Sequence, residues 1–158
     1  MNNIEMYCIS LEPTHKKFIK ELGYIPVGLG NNDFKEGWMT DDTGNNISKK
    51  NRYYGEYTFH YWIWKNHIEN INSKWIGFCQ YRKFWTVGNH EHGQLNLDKI
   101  KLISLKEIPS SYDDCDVILG KPFYVNQRKL TKFLKKGFKI IIKKPSILFN
   151  KDLRNLKF

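Results

Sequence analysis

The feature of this sequence that most limits its fold is an aromatic-rich segment near the middle of the chain. Residues 51–66, NRYYGEYTFHYWIWKN, contain seven aromatic side chains in sixteen positions, with no proline and one glycine. On a helical wheel the rings do not form one stripe but point in three directions. A helix that is apolar around most of its circumference is buried on most of its sides. We therefore predict that 51–66 is one central helix, with Ser48 as its N-cap.

The segments around this helix alternate between strand and helix patterns. Apolar runs over 4–11 and 75–85 indicate buried strands, 13–22 has the pattern of a short helix, and further strands are expected over 102–109 and 116–122. Strands that alternate with helices are typical of the α/β class. We predict an α/β domain with a mostly parallel sheet and flanking helices.

Charge divides the chain into two parts. The net charge is +10. Residues 127–158 hold eleven basic side chains and one acidic side chain, whereas the other 126 residues hold 15 of each. The whole excess therefore belongs to the last fifth of the sequence, and a neutral body argues against a nucleic-acid-binding protein. We predict an α/β domain over 1–126 and a separate basic tail over 127–158.

The tail has the pattern of an amphipathic helix. From Lys129 to Lys143 one face is apolar and the other carries lysines, and Pro145 ends the pattern. The apolar face consists of Leu130, Phe133, Leu134, Phe138 and Ile141. A helix of this kind binds anionic membrane surfaces, so we expect residues 128–144 to contact the membrane. The alternative is a helix docked on the sheet with a solvated lysine face.

Three polar residues interrupt the aromatic segment. Arg52, Glu56 and His60 follow one another at intervals of four residues, which places them on one flank of a helix. One interpretation is a surface ladder of charged pairs. The other is a carboxylate at the edge of an aromatic pocket, where Glu56 binds sugar hydroxyls or acts as a base.

Other signals indicate compartment and metal content. Cys8, Cys79 and Cys115 are far apart and form no C-x-x-C pair, so we expect three buried thiols in a reducing cytoplasm. No secretory signal is expected at the start of the sequence, and no apolar run approaches the roughly 18 residues of a spanning helix. His90–His92 and Asp114–Asp116 are weak metal motifs, and we assign no metal ligands.

Three stretches together resemble a bacterial family described as a domain of unknown function. They are DDTGNNISKKN, YYGEYTFHYWIWKN and WIGFCQYRKFW, which span about 45 residues with the family's spacing. Proteins of that family belong to capsule, exopolysaccharide and lipopolysaccharide synthesis and are thought to be glycosyltransferases. The matching positions are Asp41, Gly44, Asn46, Ile47, Ser48, Asn51, Tyr54, Glu56, Thr58, Tyr61, Trp62, Trp64, Lys65, Asn66, Gly77, Tyr81 and Arg82.

The resemblance implies a glycosyltransferase A-like half-domain that binds a nucleotide sugar. It covers the N-terminal half of the family domain, to about residue 125, so we expect a truncated or decayed member of the family, or a short variant. Arg82 is expected to pair with the donor diphosphate unless it forms an ion pair with Glu56 or Asp42, and Glu56 is the expected catalytic residue. Gln80 replaces the histidine that is usual in the family. The expected substrate-binding residues are Asp41, Asp42, Asn46, Asn51, Tyr61, Lys65, Gln80, Tyr81 and Arg82.

These features lead to one main hypothesis and two alternatives. The main hypothesis is a glycosyltransferase at the inner membrane face that transfers a sugar from a nucleotide-sugar donor to a lipid-linked or glycan acceptor, with Mn²⁺ or Mg²⁺ accompanying the donor. The first alternative is an inactive remnant or partner-binding module of such a system. The second is a basic nucleic-acid-binding protein, which would require exposed stacking rings at Tyr57, Trp62 and Trp64.

Overall fold

The fold is organised around one long central strand. The computed structural model describes residues 2–30, 33–86, 88, 96–121, 137–139, 141–143 and 145. Strand β1 (Asn2–Ser10) confirms the strand predicted at the start of the chain. Alternate residues of a strand point to opposite faces. Cys8 therefore lies in one apolar cluster and Tyr7 in another, so that β1 is buried on both sides.

β1 and three further strands form a parallel sheet. They are β1, β2 (Ile25–Gly28), β3 (Met39–Thr40) and β4 (Trp75–Gln80), in the order β3–β2–β1–β4. Tyr7 pairs with Ile25 on one side and with Phe78 on the other. A fifth strand, β5 (Glu107–Ile108), runs antiparallel to the start of β1. The predicted α/β class with a mostly parallel sheet is confirmed.

Helices cover both faces of this sheet. Helix α1 (Lys16–Glu21) packs Ile19 into the cluster that contains Cys8. After a short helix α2 (Asn51–Tyr54), helix α3 (Tyr57–Asn66) packs Phe59 and Ile63 into the cluster on the opposite face. Helix α4 (Leu97–Ile103) lies on the α1 side and is joined to α1 by an ion pair between Lys101 and Glu21. The result is a three-layer arrangement with flanking helices, as predicted.

The aromatic segment is not one continuous helix. Gly55 adopts φ 55° and ψ −131° between α2 and α3. L-residues with a side chain avoid this region of backbone space. The chain therefore changes direction at Gly55, and the prediction of a single helix over 51–66 is wrong.

The same segment is buried on one side only. Thr58, Phe59 and Ile63 are its buried residues within α3. Tyr53 is 80% exposed, and Tyr54, Tyr57 and Trp64 are also exposed. The predicted enclosure is therefore wrong for the outer rings, because the sheet covers only the inner face of α3.

Two later strand predictions also differ from the structure. Residues 102 and 103 end helix α4, and the strand in this region is limited to β5. Residues 116–121 form no strand, and all but Ile118 are exposed. Strand β4 ends at Gln80 and is followed by a turn, so it is shorter than the predicted 75–85.

The chain divides into two compact units, residues 1–118 and 119–158. The predicted boundary between 126 and 127 lies outside the described residues. In the second unit, 137–139 and 141–143 are helical, and the rest of the predicted tail helix is largely outside the described residues. Across the described ranges, no helix has the length and apolar content needed to span a bilayer.

The three cysteines are free. Cys8 and Cys79 are buried opposite one another on β1 and β4, whereas Cys115 is exposed. The expectation of three buried thiols is therefore wrong for Cys115.

Candidate active site at the carboxyl edge of the sheet

The strand order creates a switch point next to β1. The chain passes from β1 to β2 on one side, and β4 later returns to the other side of β1. In open parallel sheets, ligands bind outside the carboxyl ends of the strands at such a point. Ser10 ends β1 and Gln80 ends β4, and Ile9 pairs with Gln80. The residues that follow these two strands therefore meet at one edge.

A tight turn follows β1 at this edge. The side chain of Ser10 is 1% exposed. Its hydroxyl oxygen accepts a hydrogen bond from the backbone amide of Glu12 at 3.0 Å and lies 2.8 Å from Nδ1 of His15. These bonds hold the His15 ring in a defined orientation, because one of its two nitrogens already has a partner.

The turn after β4 meets the turn after β1. The rings of His15 and Tyr81 are stacked, with centroids 4.2 Å apart and planes inclined by 19°. The guanidinium carbon of Arg82 lies 5.1 Å from the centre of the Tyr81 ring. Arg82 is exposed, and no ion pair involves it among the residues that the structure describes. It is therefore a cation available at the edge of the sheet.

Helix α3 brings the predicted catalytic carboxylate to the same place. Glu56 immediately precedes α3 and is exposed. The side-chain amide of Gln80 donates a hydrogen bond to Oε2 of Glu56 at 2.8 Å. Glu56, Gln80, Tyr81 and Arg82 are thus brought together by the fold, although they come from two motifs that are 24 residues apart.

Side-chain hydrogen bonds stabilise the backbone turn at Gly55 between α2 and α3. The amide of Asn51 donates to the Gly55 carbonyl at 3.0 Å and to the Thr58 hydroxyl at 3.1 Å. The Thr58 hydroxyl in turn donates to the Gly55 carbonyl at 2.9 Å. Since Glu56 follows Gly55, this network sets the direction in which the carboxylate projects. Asn51 therefore stabilises the backbone next to Glu56.

The surface ladder of Arg52, Glu56 and His60, one of the two interpretations of their spacing, is not formed. The break at Gly55 separates Arg52 from Glu56, whose carboxylate bonds to Gln80 instead. His60 packs on the ring of Phe78 with centroids 4.2 Å apart. Burial lowers the pKa of His60, and the charge of Glu56 opposes this change. The lowered pKa favours the neutral form of the buried His60 ring.

The two aspartates of the first motif lie in different environments. Asp41 is 4% exposed, and its Oδ2 has no hydrogen-bond partner among the described residues. Burial raises the pKa of its carboxyl, and the neighbouring Thr58 opposes this change. Asp42 is exposed and accepts a hydrogen bond from the Thr40 hydroxyl at 2.6 Å. Asp41 is thus buried beside Thr58 of α3, whereas Asp42 faces solvent.

The remaining predicted residues form a second group along α3. The amide of Asn46 bonds to the Thr43 and Gly44 carbonyls. The Tyr61 hydroxyl donates to the Asn45 side chain at 3.1 Å. The ammonium of Lys65 lies 3.4 Å from the centre of the Trp64 ring. Because a helix rises about 1.5 Å per residue, Lys65 is roughly 13 Å along α3 from Glu56. The structure therefore does not bring Lys65 next to Glu56, Gln80, Tyr81 and Arg82.

Sequence reasoning missed Ser10 and His15. The available signal was their position, since Ser10 lies at the carboxyl end of the strand predicted over 4–11 and His15 lies five residues later. Residues at the carboxyl ends of parallel strands are the usual source of site residues. The stack between His15 and Tyr81 joins positions 66 residues apart and had no local signal.

No metal centre is visible in the described part of the chain. Among those residues there is no group of three or more His, Cys, Asp or Glu side chains that could hold an ion. Asp114 and Asp116 are exposed beside a 3-10 turn that ends at Tyr112. The motif from His90 to His92 lies outside the described residues.

Comparisons with known proteins give one family and one solved structure. A family model described as "Domain of unknown function (DUF4422)" matches residues 10–150. The expected limit near residue 125 is therefore too early. The chain is also similar to the apo structure of the WbbM bifunctional glycosyltransferase, with 33% identity, coverage of 51% of this chain and 14% of that chain, and a TM-score of 0.41. No curated protein gives a significant match.

Proposed function

The chain belongs to the DUF4422 family of domains of unknown function, and we propose that it acts as a glycosyltransferase in the synthesis of a surface polysaccharide. In this proposal the carboxyl edge of the sheet binds a nucleotide sugar. The acceptor is a lipid-linked or glycan hydroxyl. Capsule, exopolysaccharide and lipopolysaccharide are the candidate products, as the motif resemblance implies.

The observation that carries the proposal is the convergence of side chains at the switch point. A stacked pair, an exposed arginine and an exposed carboxylate come from the segments after β1, before α3 and after β4. These groups suit the parts of a nucleotide sugar. The guanidinium fork of Arg82 matches phosphate oxygens, and the rings of His15 and Tyr81 provide a face on which a base can stack.

In this proposal Glu56 is the general base. In the transfer, an acceptor hydroxyl oxygen bonds to the anomeric carbon, and the bond from that carbon to the diphosphate breaks. The nucleoside diphosphate leaves with the bonding electrons, and the hydroxyl proton passes to the Glu56 carboxylate. The bond from Gln80 holds one carboxylate oxygen in place, so the other is free to face the acceptor.

A divalent cation is part of the proposal as a companion of the donor diphosphate. The described carboxylates do not gather into a metal site of their own. We therefore expect Mn²⁺ or Mg²⁺ to arrive with the nucleotide sugar, and Arg82 to neutralise part of the phosphate charge. Donor binding measured with and without Mn²⁺ tests this expectation directly.

The proposed location is the inner membrane face. In the described part of the tail, Phe138 is 67% exposed and Ile142 is also exposed, four residues apart. Lys139 and Lys143 are exposed beside them. Apolar side chains at this spacing share one helix face, which supports contact with an anionic lipid surface. Flotation with phosphatidylglycerol vesicles should carry the full chain, and the double change Phe138→Ser and Ile142→Ser should release it. Flotation that is unaffected by these changes would remove the membrane part of the proposal.

The donor site is tested by binding and turnover. We expect a panel of nucleotide sugars to include one that raises the melting temperature of the full chain. Arg82→Ala should weaken that donor about tenfold or more, whereas the neighbouring change Lys83→Ala should not. Glu56→Gln should keep donor affinity and lower turnover by about 10² to 10⁴. A folded chain that binds no donor with or without Mn²⁺ would favour an inactive or partner-binding role.

Nucleic acid is the competing ligand. Tyr57 and Trp64 are exposed, and Trp62 is half-buried, so two of the three rings named for this alternative meet its requirement. The neutral charge of residues 1–126 weighs against it. Binding of single-stranded RNA that falls steeply with salt and is lost in Tyr57→Ala would support this alternative instead.

A further inference from the structure

A groove lies at the outer edge of the sheet, beside strand β3. Its volume is about 460 Å³, within the range of roughly 300–1,000 Å³ that ligand pockets occupy. Strand β3 is the last strand in the order β3–β2–β1–β4. The groove is lined mainly by Pro26, Trp38, Met39, Thr40, Thr43 and Trp62. The groove is separate from the group formed by Glu56, Gln80 and Arg82, none of which lines it.

The two tryptophans approach the groove from opposite faces of the sheet. Trp38 packs against the apolar cluster on the α1 side, and Trp62 packs against the cluster on the α3 side. Both rings are held by neighbours. The indole nitrogen of Trp62 donates to the Thr43 carbonyl at 2.9 Å, and the ring of Trp38 contacts the ring of Phe34 with centroids 4.8 Å apart. The aromatic walls are therefore formed before any ligand arrives.

The groove lining combines apolar side chains with the hydroxyls of two threonines. None of the eight lining residues carries a charge. The ammonium groups of Lys16 and Lys20 lie close to Gly37, which is one of the lining residues, and Lys16 donates to the Glu36 carbonyl. Asp42 accepts a hydrogen bond from Thr40. The hydroxyls of Thr40 and Thr43 and the outer peptide groups of β3 supply hydrogen-bonding partners. This combination selects a ligand that is neutral, has apolar faces and carries many hydroxyls.

Other occupants fit less well. A diphosphate needs a cation or several amide donors. No cation lines the groove itself, and of the two lysines beside Gly37, Lys16 is already bonded to the Glu36 carbonyl. An acyl chain would cover the outer peptide groups of β3 without offering them hydrogen-bonding partners, which is unfavourable. A peptide that adds to the sheet needs an extended edge, and β3 has only two residues.

We propose that the groove between Trp38 and Trp62 binds a neutral saccharide, with a pyranose ring packed against the tryptophans and its hydroxyls bonded to Thr40 and Thr43. This inference rests on the proposed function in one respect, because the saccharide is then part of the acceptor glycan. The catalytic edge would transfer the sugar, and the groove would hold a more distant unit of the same glycan.

Calorimetric titration of the full chain with neutral tri- to pentasaccharides of glucose, galactose and mannose tests the inference. We expect at least one of them to bind, and Trp38→Ala to weaken its binding about tenfold. Trp64→Ala is the matched control, because Trp64 is exposed on α3 and does not line the groove. Thr40→Val provides a second variant that keeps both rings, and circular dichroism confirms that each variant is folded.

The outcomes separate this inference from the proposed function. A folded chain that binds a nucleotide sugar but no neutral oligosaccharide would overturn the inference alone. Oligosaccharide binding that survives both Trp38→Ala and Thr40→Val, or that is lost in Trp64→Ala, would also overturn it. Self-association of the chain that Trp38→Ala abolishes would show that a second copy fills the groove. Oligosaccharide binding lost in Trp38→Ala, together with no donor binding, would support the groove and count against the glycosyltransferase proposal.

Discussion

Replacing Gly55 by alanine isolates the backbone turn on which the proposed site depends. A β-carbon at this position would meet no atom within 4 Å. The cost of the substitution is therefore conformational, since Gly55 has φ 55° and ψ −131°. Holding a residue other than glycine in such a region costs about 1–3 kcal/mol of folding stability. We expect Gly55→Ala to lower the free energy of unfolding by about 2 kcal/mol.

The substitution should also disturb the site. The Gly55 carbonyl accepts hydrogen bonds from Asn51 and Thr58, and the next residue is Glu56. If the backbone relaxes to avoid the strain, these bonds and the bond between Gln80 and Glu56 are weakened. A loss of about 2 kcal/mol corresponds to a fall of roughly 4–8 °C in melting temperature for a chain of this size.

Urea denaturation with the Gly137→Ala variant as control provides the measurement. Gly137 is helical, has no positive φ, and also has open space where a β-carbon would be. Alanine is favoured over glycine in a helix by up to about 1 kcal/mol, so this variant should be neutral or slightly more stable. Equal unfolding free energies for wild type and Gly55→Ala, at unchanged m-value, would refute the assigned backbone conformation.

Three further predictions concern the support of the site. Thr58→Val should destabilise the fold by about 1–3 kcal/mol, because buried partners lose a hydrogen bond, and Thr58→Ser should recover most of this in urea titrations. Burial raises the pKa of Asp41 above its ordinary value of 3.8, so the folded state holds the proton more tightly than the unfolded state. Its contribution to stability is therefore full below about pH 3.8 and is lost as pH rises through the folded pKa. Relative to wild type, the Asp41→Asn variant should therefore become more stable as the pH rises through the folded pKa of Asp41. A difference in unfolding free energy between the two proteins that does not change with pH would contradict the assignment. Gly28→Ala should cost about 1–3 kcal/mol, since its β-carbon would fall 2.3 Å from the Phe34 ring, whereas Gly77→Ala meets only flexible side chains such as that of Met6 and should cost less in the same titration.

Local pattern was sufficient for the central part of the fold. The apolar run of β1 and the helix pattern after Pro13 predict elements that the structure contains. Short elements such as β3 and β5 have only two residues each, too few to produce a readable period. The exposed segment 116–121 has apolar residues without strand pairing, because pairing depends on a neighbour that a linear pattern does not reveal.

The candidate site was predictable to a similar extent. The motif resemblance implied Glu56, Gln80, Tyr81 and Arg82 as site residues, and the structure brings them to one edge. It did not predict that Gly55 breaks the helix, since an isolated glycine is also compatible with a continuous helix. The backbone conformation of Gly55 is stabilised by hydrogen bonds from Asn51 and Thr58 to its carbonyl. These contacts exist only after folding.

By itself, the sequence determined the α/β class, the separation of charge between the body and the tail, and the membership of Glu56 and Arg82 in one motif set. The class follows from periodicity and the charge separation from composition, whereas the motif set is what the resemblance to the family implies. Only the tertiary structure decided that His15 stacks on Tyr81, that Asp41 is buried while Tyr53 is exposed, and that Trp38 and Trp62 form one groove. The reason is that parallel strand order brings distant segments to the same edge, and burial is settled by which face of each element finds a neighbour.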